Sequence, residues 1–290
     1  MTKLYEKLVK SCPSGTEVKR SIPRIVESIP KTYGKHLLMN ILNCVDLTTL
    51  NPTDTKTRIL QLTGKVNSFQ VRYSNIPNVA GICVFPNYAT IVKDRLTAKN
   101  VKIVSVAGSF PTSQTFRNLR VAESKMAVDA GAEEIDVMIN LGAFLGGDYE
   151  TVISEISEIK SAIGNKTLKV IIESGCLNGY EQIFKASMLA MDAGADFIKT
   201  STGKNGIGAT PEAAYVICKA ISCFYGETGI QVGFKAAGGI SEVNDAVVFY
   251  QIVSTCLGDK WLNNKLFRIG ASRLANNILS EIAGERHEHF

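Results

Sequence analysis

The sequence predicts a closed barrel of eight strand–helix units, on three observations. Eight short, β-branched apolar runs recur from residue 36 onward. Between them lie segments whose apolar residues recur with helical spacing. The whole pattern, residues 36–282 of a 290-residue chain, matches the roughly 250 residues over which such barrels form a single domain.

In chain order, the strand-like runs are 37–46, 79–85, 101–108, 133–139, 168–174, 195–200, 230–236 and 266–270. Their near-continuous hydrophobicity fits strands of a parallel sheet, covered on both faces. Helical patterns lie at 53–68, 88–99, 115–130, 148–163, 180–193, 210–225, 241–255 and 271–282. The punctuation agrees. Gly131 and Gly194 stand just past a helix, where a left-handed cap is wanted. Thr210-Pro211 supplies an N-cap with proline at the first helical position. An open doubly wound sheet is the alternative, but it would show a glycine-rich turn after its first strand, and residues 44–48 hold none. Residues 1–35 form a basic N-terminal extension, 36–282 the barrel and 283–290 a C-terminal tail.

Composition narrows the function. Hydrophobic residues make up 45% and charged residues 20% of the chain, which excludes disorder and a disulfide-dense mini-fold. No run approaches the roughly 18 apolar residues of a membrane helix, and the first residues alternate charge with hydrophobe, unlike a signal peptide. The net charge is +5, and residues 1–35, with eight Lys/Arg and three Glu, account for all of it. A nucleic-acid binder carries its basic face in the folded body; here the body is neutral, and the head reads as a solvated helix. Seven cysteines in no C-x-x-C spacing fit reduced thiols in the cytoplasm. Of three histidines, His36, His287 and His289, two fall in the last four residues, so a histidine metal centre or a Ser-His-Asp triad has no material.

In a barrel of this type chemistry occupies the C-terminal strand ends. Asp46, Cys83, Asp136, Glu173, Lys199, Lys235 and Gly270 fall there. Charges ending apolar strands are costly unless paired. Lys199 and Lys235 end consecutive strands, so their ammonium groups should be neighbours. Only a neutral amine attacks a carbonyl, and an ordinary lysine is neutral in about one molecule in 2,500 at pH 7. Bringing an amine to neutrality there takes roughly 4.6 kcal/mol. A second cation about 4 Å away supplies about 4 kcal/mol at an effective dielectric constant of about 20. A lysine pair is thus a device for Schiff-base chemistry, with Asp136 holding one amine charged and moving protons. These arguments leave open which lysine attacks. Cys83 reads equally as a buried hydrophobe or a site-lining thiol, Glu173 as a structural partner for a lysine, and Trp261 as surface.

Hydroxyl- and glycine-rich turns follow the last three strands: Thr200 to Lys204, Ala237-Gly238-Gly239 and Gly270-Ala271-Ser272. Glycines let backbone N–H groups approach an anion, and barrels often bind phosphate at these loops. The predicted substrate is a small phosphorylated carbonyl compound.

The segments VDLTTL (45–50), EIDV (134–137), ADFIKTSTGK (195–204), VGFKAAGG (232–239) and FRIGAS (267–272) together resemble deoxyribose-phosphate aldolase, over about residues 37–280. The resemblance implies a class I, metal-free and cofactor-free lyase that reversibly cleaves 2-deoxy-D-ribose 5-phosphate into D-glyceraldehyde 3-phosphate and acetaldehyde. It implies Lys199 as the Schiff-base lysine, Lys235 as the neighbouring cation that favours its neutral form, and Asp136 as a proton-transfer partner. Asp46, Thr48, Cys83 and Thr202 would face substrate, and Gly203, Lys204, Gly238, Gly239, Gly270 and Ser272 would hold its phosphate. Three positions depart from the family: Ala236 replaces a frequent proline, Ser241 and Arg273 replace a bacterial Arg and Ser near the phosphate, and the chain closes on Phe290, where bacterial members end in a tyrosine that assists proton transfer. Arg273 would then restore the site's charge.

Two rival readings remain at this stage: another Schiff-base sugar-phosphate aldolase, and a catalytically weak relative used as a binding or scaffold protein. Neither a nucleic-acid nor a membrane partner is expected, and a homo-oligomer is left open.

Overall fold

The computed structural model describes residues 3–290; the first two residues of the basic extension lie outside the described residues. At its centre is a closed barrel in which β1 (Val45–Thr48), β2 (Gly81–Val84), β3 (Lys102–Ala107), β4 (Glu134–Met138), β5 (Thr167–Ile171), β6 (Phe197–Lys199), β7 (Gly233–Ala237) and β8 (Phe267–Ala271) pair in sequence order. All pairings are parallel, and β1 closes on β8. The chain is therefore a (β/α)8 barrel.

Helices α1 (Lys3–Leu8), α2 (Gly15–Glu27) and α3 (Lys35–Asn43) precede the barrel. Around it run α4 (Lys56–Arg72), α5 (Ala89–Arg95), α6 (Arg117–Asp129), α7 (Leu141–Leu145), α8 (Tyr149–Ile163), α9 (Tyr180–Asp192), α10 (Pro211–Thr228), α11 (Val243–Leu257) and α12 (Leu274–Ala283). A side chain caps α10 where the sequence suggests. The Thr210 hydroxyl accepts from the Ala213 N–H, with Pro211 at the first position, and α10 stops at Gly229 with φ 71°. Asp148 and Thr55 cap α8 and α4 in the same way.

The run 37–46 is corrected. It is mostly helix α3, which buries Leu38, Ile41 and Leu42. That 3-and-4 spacing is helical, and the strand begins only at Val45. Trp261 is also corrected: its ring is buried, and its indole N–H donates to the Val232 carbonyl at 2.9 Å. As for the basic extension, α2 buries Val18, Ile22 and Ile25, packing on α10 and α11, while α1 packs on α9. Lys7 pairs with Glu227.

The main apolar core fills the layer between the outer strand faces and the helices, through residues such as Phe69, Ile156, Ile217 and Ile252. Inside the barrel the picture changes. A small cluster of Leu50, Cys83, Val104 and Val106 shares the interior with charged side chains. Alternate strand residues share a face, so Glu134 and Asp136 point the same way, as do Phe197 and Lys199. Register then sets their neighbours: Lys199 lies opposite Lys235, Lys235 opposite Arg268, and Asp136 opposite Lys169.

Candidate active site

Asp136 is the hub. Its Oδ2 accepts from Lys199 Nζ and from Lys235 Nζ, each at 2.8 Å, while Oδ1 accepts from Lys169 Nζ at 3.1 Å. The two amines predicted as neighbours therefore converge on one oxygen, and their separation cannot exceed twice that bond length. Lys235 also reaches Asp46 Oδ2 at 2.5 Å, and Arg268 takes Asp46 Oδ1 at 2.5 Å. Glu134 bridges Lys169, at 2.5 Å, and Arg268, at 2.8 Å. Six residues thus form a closed ring of alternating sign: Asp136, Lys169, Glu134, Arg268, Asp46, Lys235. Lys199 is attached to it through Asp136. All seven are buried.

The electrostatics follow from that pairing. Burial alone would raise the Asp46 and Asp136 carboxyls, but the surrounding cations outweigh it. Arg268 and Lys235 hold Asp46, and Lys169, Lys199 and Lys235 hold Asp136, below the ordinary carboxylate range. Burial opposes the charge of Lys235, yet Asp136 and Asp46 together keep it protonated above the usual lysine range. At Cys83 burial pushes the thiol up, so it stays protonated.

Above this layer opens a mouth cavity of about 640 Å³. Thr48, Lys199, Thr202, Gly203, Lys204, Gly238, Gly239, Gly270 and Ser272, all predicted, line it together, joined by Arg273. Asp46, Asp136, Lys235 and Cys83 are fully buried beneath. Of the ring-linked amines, only Lys199 lines the cavity, with the Phe110 ring 6.0 Å from its nitrogen.

Glycine serves two distinct purposes here. Gly238 adopts φ 94°, and a side chain there would meet the Gly208 backbone at 2.8 Å. The loops after β6 and β7 thus close backbone against backbone. Gly270 instead leaves room for an amine's stem: an added Cβ would stand 3.2 Å from Lys235 Cε. Glu173, expected to partner a lysine, holds the loop after β6. It accepts from the Thr202 N–H at 3.2 Å, the Thr202 hydroxyl at 2.5 Å and Asn205 Nδ2 at 3.1 Å. Its φ of 48° is uncommon for a residue with a side chain.

Sequence reasoning missed four groups. Lys169, Glu134 and Arg268 lie within or at the start of apolar strands, and their charge on an inward-facing position was the available signal. Arg58, on the first turn of α4, lines the cavity and pairs with buried Asp54 at 3.1 Å. Phe290 also reaches the rim: its ring stacks on Phe69 with centroids 5.1 Å apart, and Asn276 bonds both its N–H and its carbonyl at 2.9 Å. Among the described residues no carboxylate side chain lines this cavity, whereas the basic side chains of Arg58, Lys204 and Arg273 do, beside Lys199. Among the described residues, no three His, Cys, Asp or Glu are grouped to hold a metal, and no helix is long and apolar enough to cross a membrane.

Fold and site together define the class: a (β/α)8-barrel enzyme with buried primary amines at the floor of a mouth lined by glycine loops and basic side chains. The family model of DeoC/LacD family aldolases matches residues 41–262, and the chain belongs to that family. It is 38% identical to the deoxyribose-phosphate aldolase of Homo sapiens over 88% of this chain and 83% of that one. Identity to the Mus musculus enzyme of the same name is 37%, with the same coverage. Among solved structures, the tetrameric deoxyribose phosphate aldolase of Aeropyrum pernix superposes with a TM-score of 0.66 at 23% identity, over 92% of this chain and 98% of that one, which shows the shared fold.

Proposed function

We propose that this aldolase reversibly cleaves 2-deoxy-D-ribose 5-phosphate into D-glyceraldehyde 3-phosphate and acetaldehyde, by way of an imine on Lys199. The observation that carries the assignment is that Lys199 alone among the ring-linked amines opens onto the cavity while sharing Asp136 Oδ2 with Lys235. Charge counting supports it. The layer holds three carboxylates (Asp46, Glu134, Asp136) against four basic side chains (Lys169, Lys199, Lys235, Arg268). A neutral Lys199 leaves it balanced.

Neutral Lys199 Nζ attacks C1 of the open-chain sugar, and loss of water gives a protonated imine. That cation draws the electrons of the C2–C3 bond as the C3 hydroxyl loses its proton, releasing glyceraldehyde 3-phosphate and leaving an enamine. Protonation at C2 and hydrolysis of the imine return acetaldehyde and the free amine. Lys235, kept charged by two carboxylates, and Asp136 serve as the proton source and relay. Lys204, Arg273 and Arg58, with the glycine loops after β6, β7 and β8, hold the phosphate.

The cytoplasmic setting rests on cysteine usage, seven cysteines in no C-x-x-C spacing. The Aeropyrum tetramer makes a homo-oligomer the assembly to look for by sedimentation velocity. For the chemistry, incubation with deoxyribose 5-phosphate and borohydride should add one reduced adduct at Lys199, located by peptide mass spectrometry. An adduct on Lys235 reverses the roles. With no adduct, the chain is a scaffold or binding relative.

A further inference from the structure

The ring holds three members, Lys169, Glu134 and Arg268, that the reaction above does not use. Each of its two aspartates is held by one oxygen from within the barrel and offers the other toward an amine. Asp136 Oδ1 is bound by Lys169 and its Oδ2 by Lys199 and Lys235. Asp46 Oδ1 is bound by Arg268 and its Oδ2 by Lys235. Glu134 ties the two lower cations together, Oε2 to Lys169 and Oε1 to Arg268. The Phe197 ring packs 5.8 Å from Lys169 Nζ and 6.0 Å from the Arg268 guanidinium, closing that layer with an apolar lid.

We infer that Lys169, Glu134 and Arg268 are positioning residues. They fix which carboxylate oxygen meets the amines, and their charges set the pH at which Lys199 becomes reactive. This rests on Lys199 as the imine-forming amine. The groups facing Asp136 and Lys199 from the surrounding strands are Asp46 on β1, Cys83 on β2, Lys169 on β5 and Lys235 on β7, while Glu134, on the same strand as Asp136, and Arg268 on β8 connect to them through Lys169 and Asp46. Among these, Lys169 and Glu134 are of opposite sign and touch each other but do not touch Lys199. Removing the cation leaves Asp136 more negative toward Lys199 and favours its ammonium form. Removing the anion does the reverse.

The test follows acetaldehyde trapping on the full chain by cyanoborohydride across pH, scored as adduct at Lys199. Lys169→Met should move the acidic limb of the trapping rate upward by about one to two pH units, and Glu134→Gln should move it downward by a similar amount. Lys169→Arg should restore the wild-type profile. Loss of a merely structural contact would slow trapping without opposite displacements. Both limbs unmoved, or moved the same way, overturn the inference. If Lys169→Met does not fold, near-isosteric Glu134→Gln decides it: a limb displaced downward, with Lys169→Arg at the wild-type position, supports the inference, and a Glu134→Gln limb unmoved or displaced upward overturns it. Because acetaldehyde is the probe, a wrong sugar-phosphate substrate leaves this result intact. A wild-type chain that traps no aldehyde overturns the Schiff-base reading and the inference with it.

Discussion

The two halves of the mouth are built in opposite ways. The amine half is made of buried side chains on β1, β4, β6 and β7: Asp46, Asp136 and Lys235 each have two or more charged partners, and Lys199, at the cavity floor, is held by Asp136. The anion half, the phosphate site proposed above, is made of loops carrying the exposed cations Lys204 and Arg273 around glycine backbone, with exposed Arg58 reaching in from α4. Chemistry at a carbonyl needs a fixed distance and a controlled proton, so rigidity and burial serve it. Holding a phosphate needs long-range attraction and N–H groups free to approach, which exposed cations and glycines provide. A substitution should therefore damage turnover in the first half and substrate affinity in the second.

The sharpest way to break this contrast is at the lysine. Lys199→Met should lower kcat on deoxyribose 5-phosphate by on the order of 10⁴-fold or more, with adduct formation lost. Asp136→Asn should lower kcat by about 10²–10⁴-fold. If either variant raised KM and spared kcat, the division would be wrong. In the anion half, Lys204→Ala should raise KM for the phosphorylated sugar by roughly 10–100-fold, the value of one charged hydrogen bond. Arg273→Ser should do the same by a smaller factor of roughly 3–10. Neither should change KM for unphosphorylated deoxyribose; equal effects on both sugars would remove these cations from the phosphate site.

A smaller effect sharpens the comparison through pH. Asp46 and Asp136 are held below their unfolded values, near 3.9 for an aspartate. The stability they contribute is present in full above that value and is lost as pH falls below it toward their folded ones. Lys235 is held above its unfolded value, so its contribution persists from low pH up to about pH 10 and fades only beyond. Thermal melts should show a Tm constant from neutrality to about pH 5, then a decline below about pH 4. Asp136→Asn should flatten that decline, and an unchanged slope would mean the ring does not govern acid stability.

Much of the amine half was legible because Lys199, Lys235, Asp136 and Asp46 are charges in apolar strands, which demand a reason, although only Lys199 ends its strand while the other three lie inside β7, β4 and β1. Lys169, Glu134 and Arg268 carry the same signal, but they stand deeper in the barrel, where interiors are usually filled by branched hydrophobes. Only strand register shows that they meet. The anion-half glycines were legible as turns. Arg58 was not, because a basic residue in the first turn of an amphipathic helix looks solvated, and only the α4 docking angle turns it to the mouth. The helix over 35–43 was misread because an apolar run cannot by its length alone be assigned to strand or helix.

The chain's one tryptophan offers a practical dividend. Trp261 is 3% exposed, its indole N–H tied to the Val232 carbonyl just before β7 and its ring edge-on to Tyr225, 5.2 Å away. It stands outside both halves of the mouth, so its emission reports whether the barrel is intact without being altered by ligands. Red-shifted fluorescence in a ring variant would mark a molecule that has come apart, and an unshifted spectrum beside a displaced pH profile would mark one that is whole and electrically retuned.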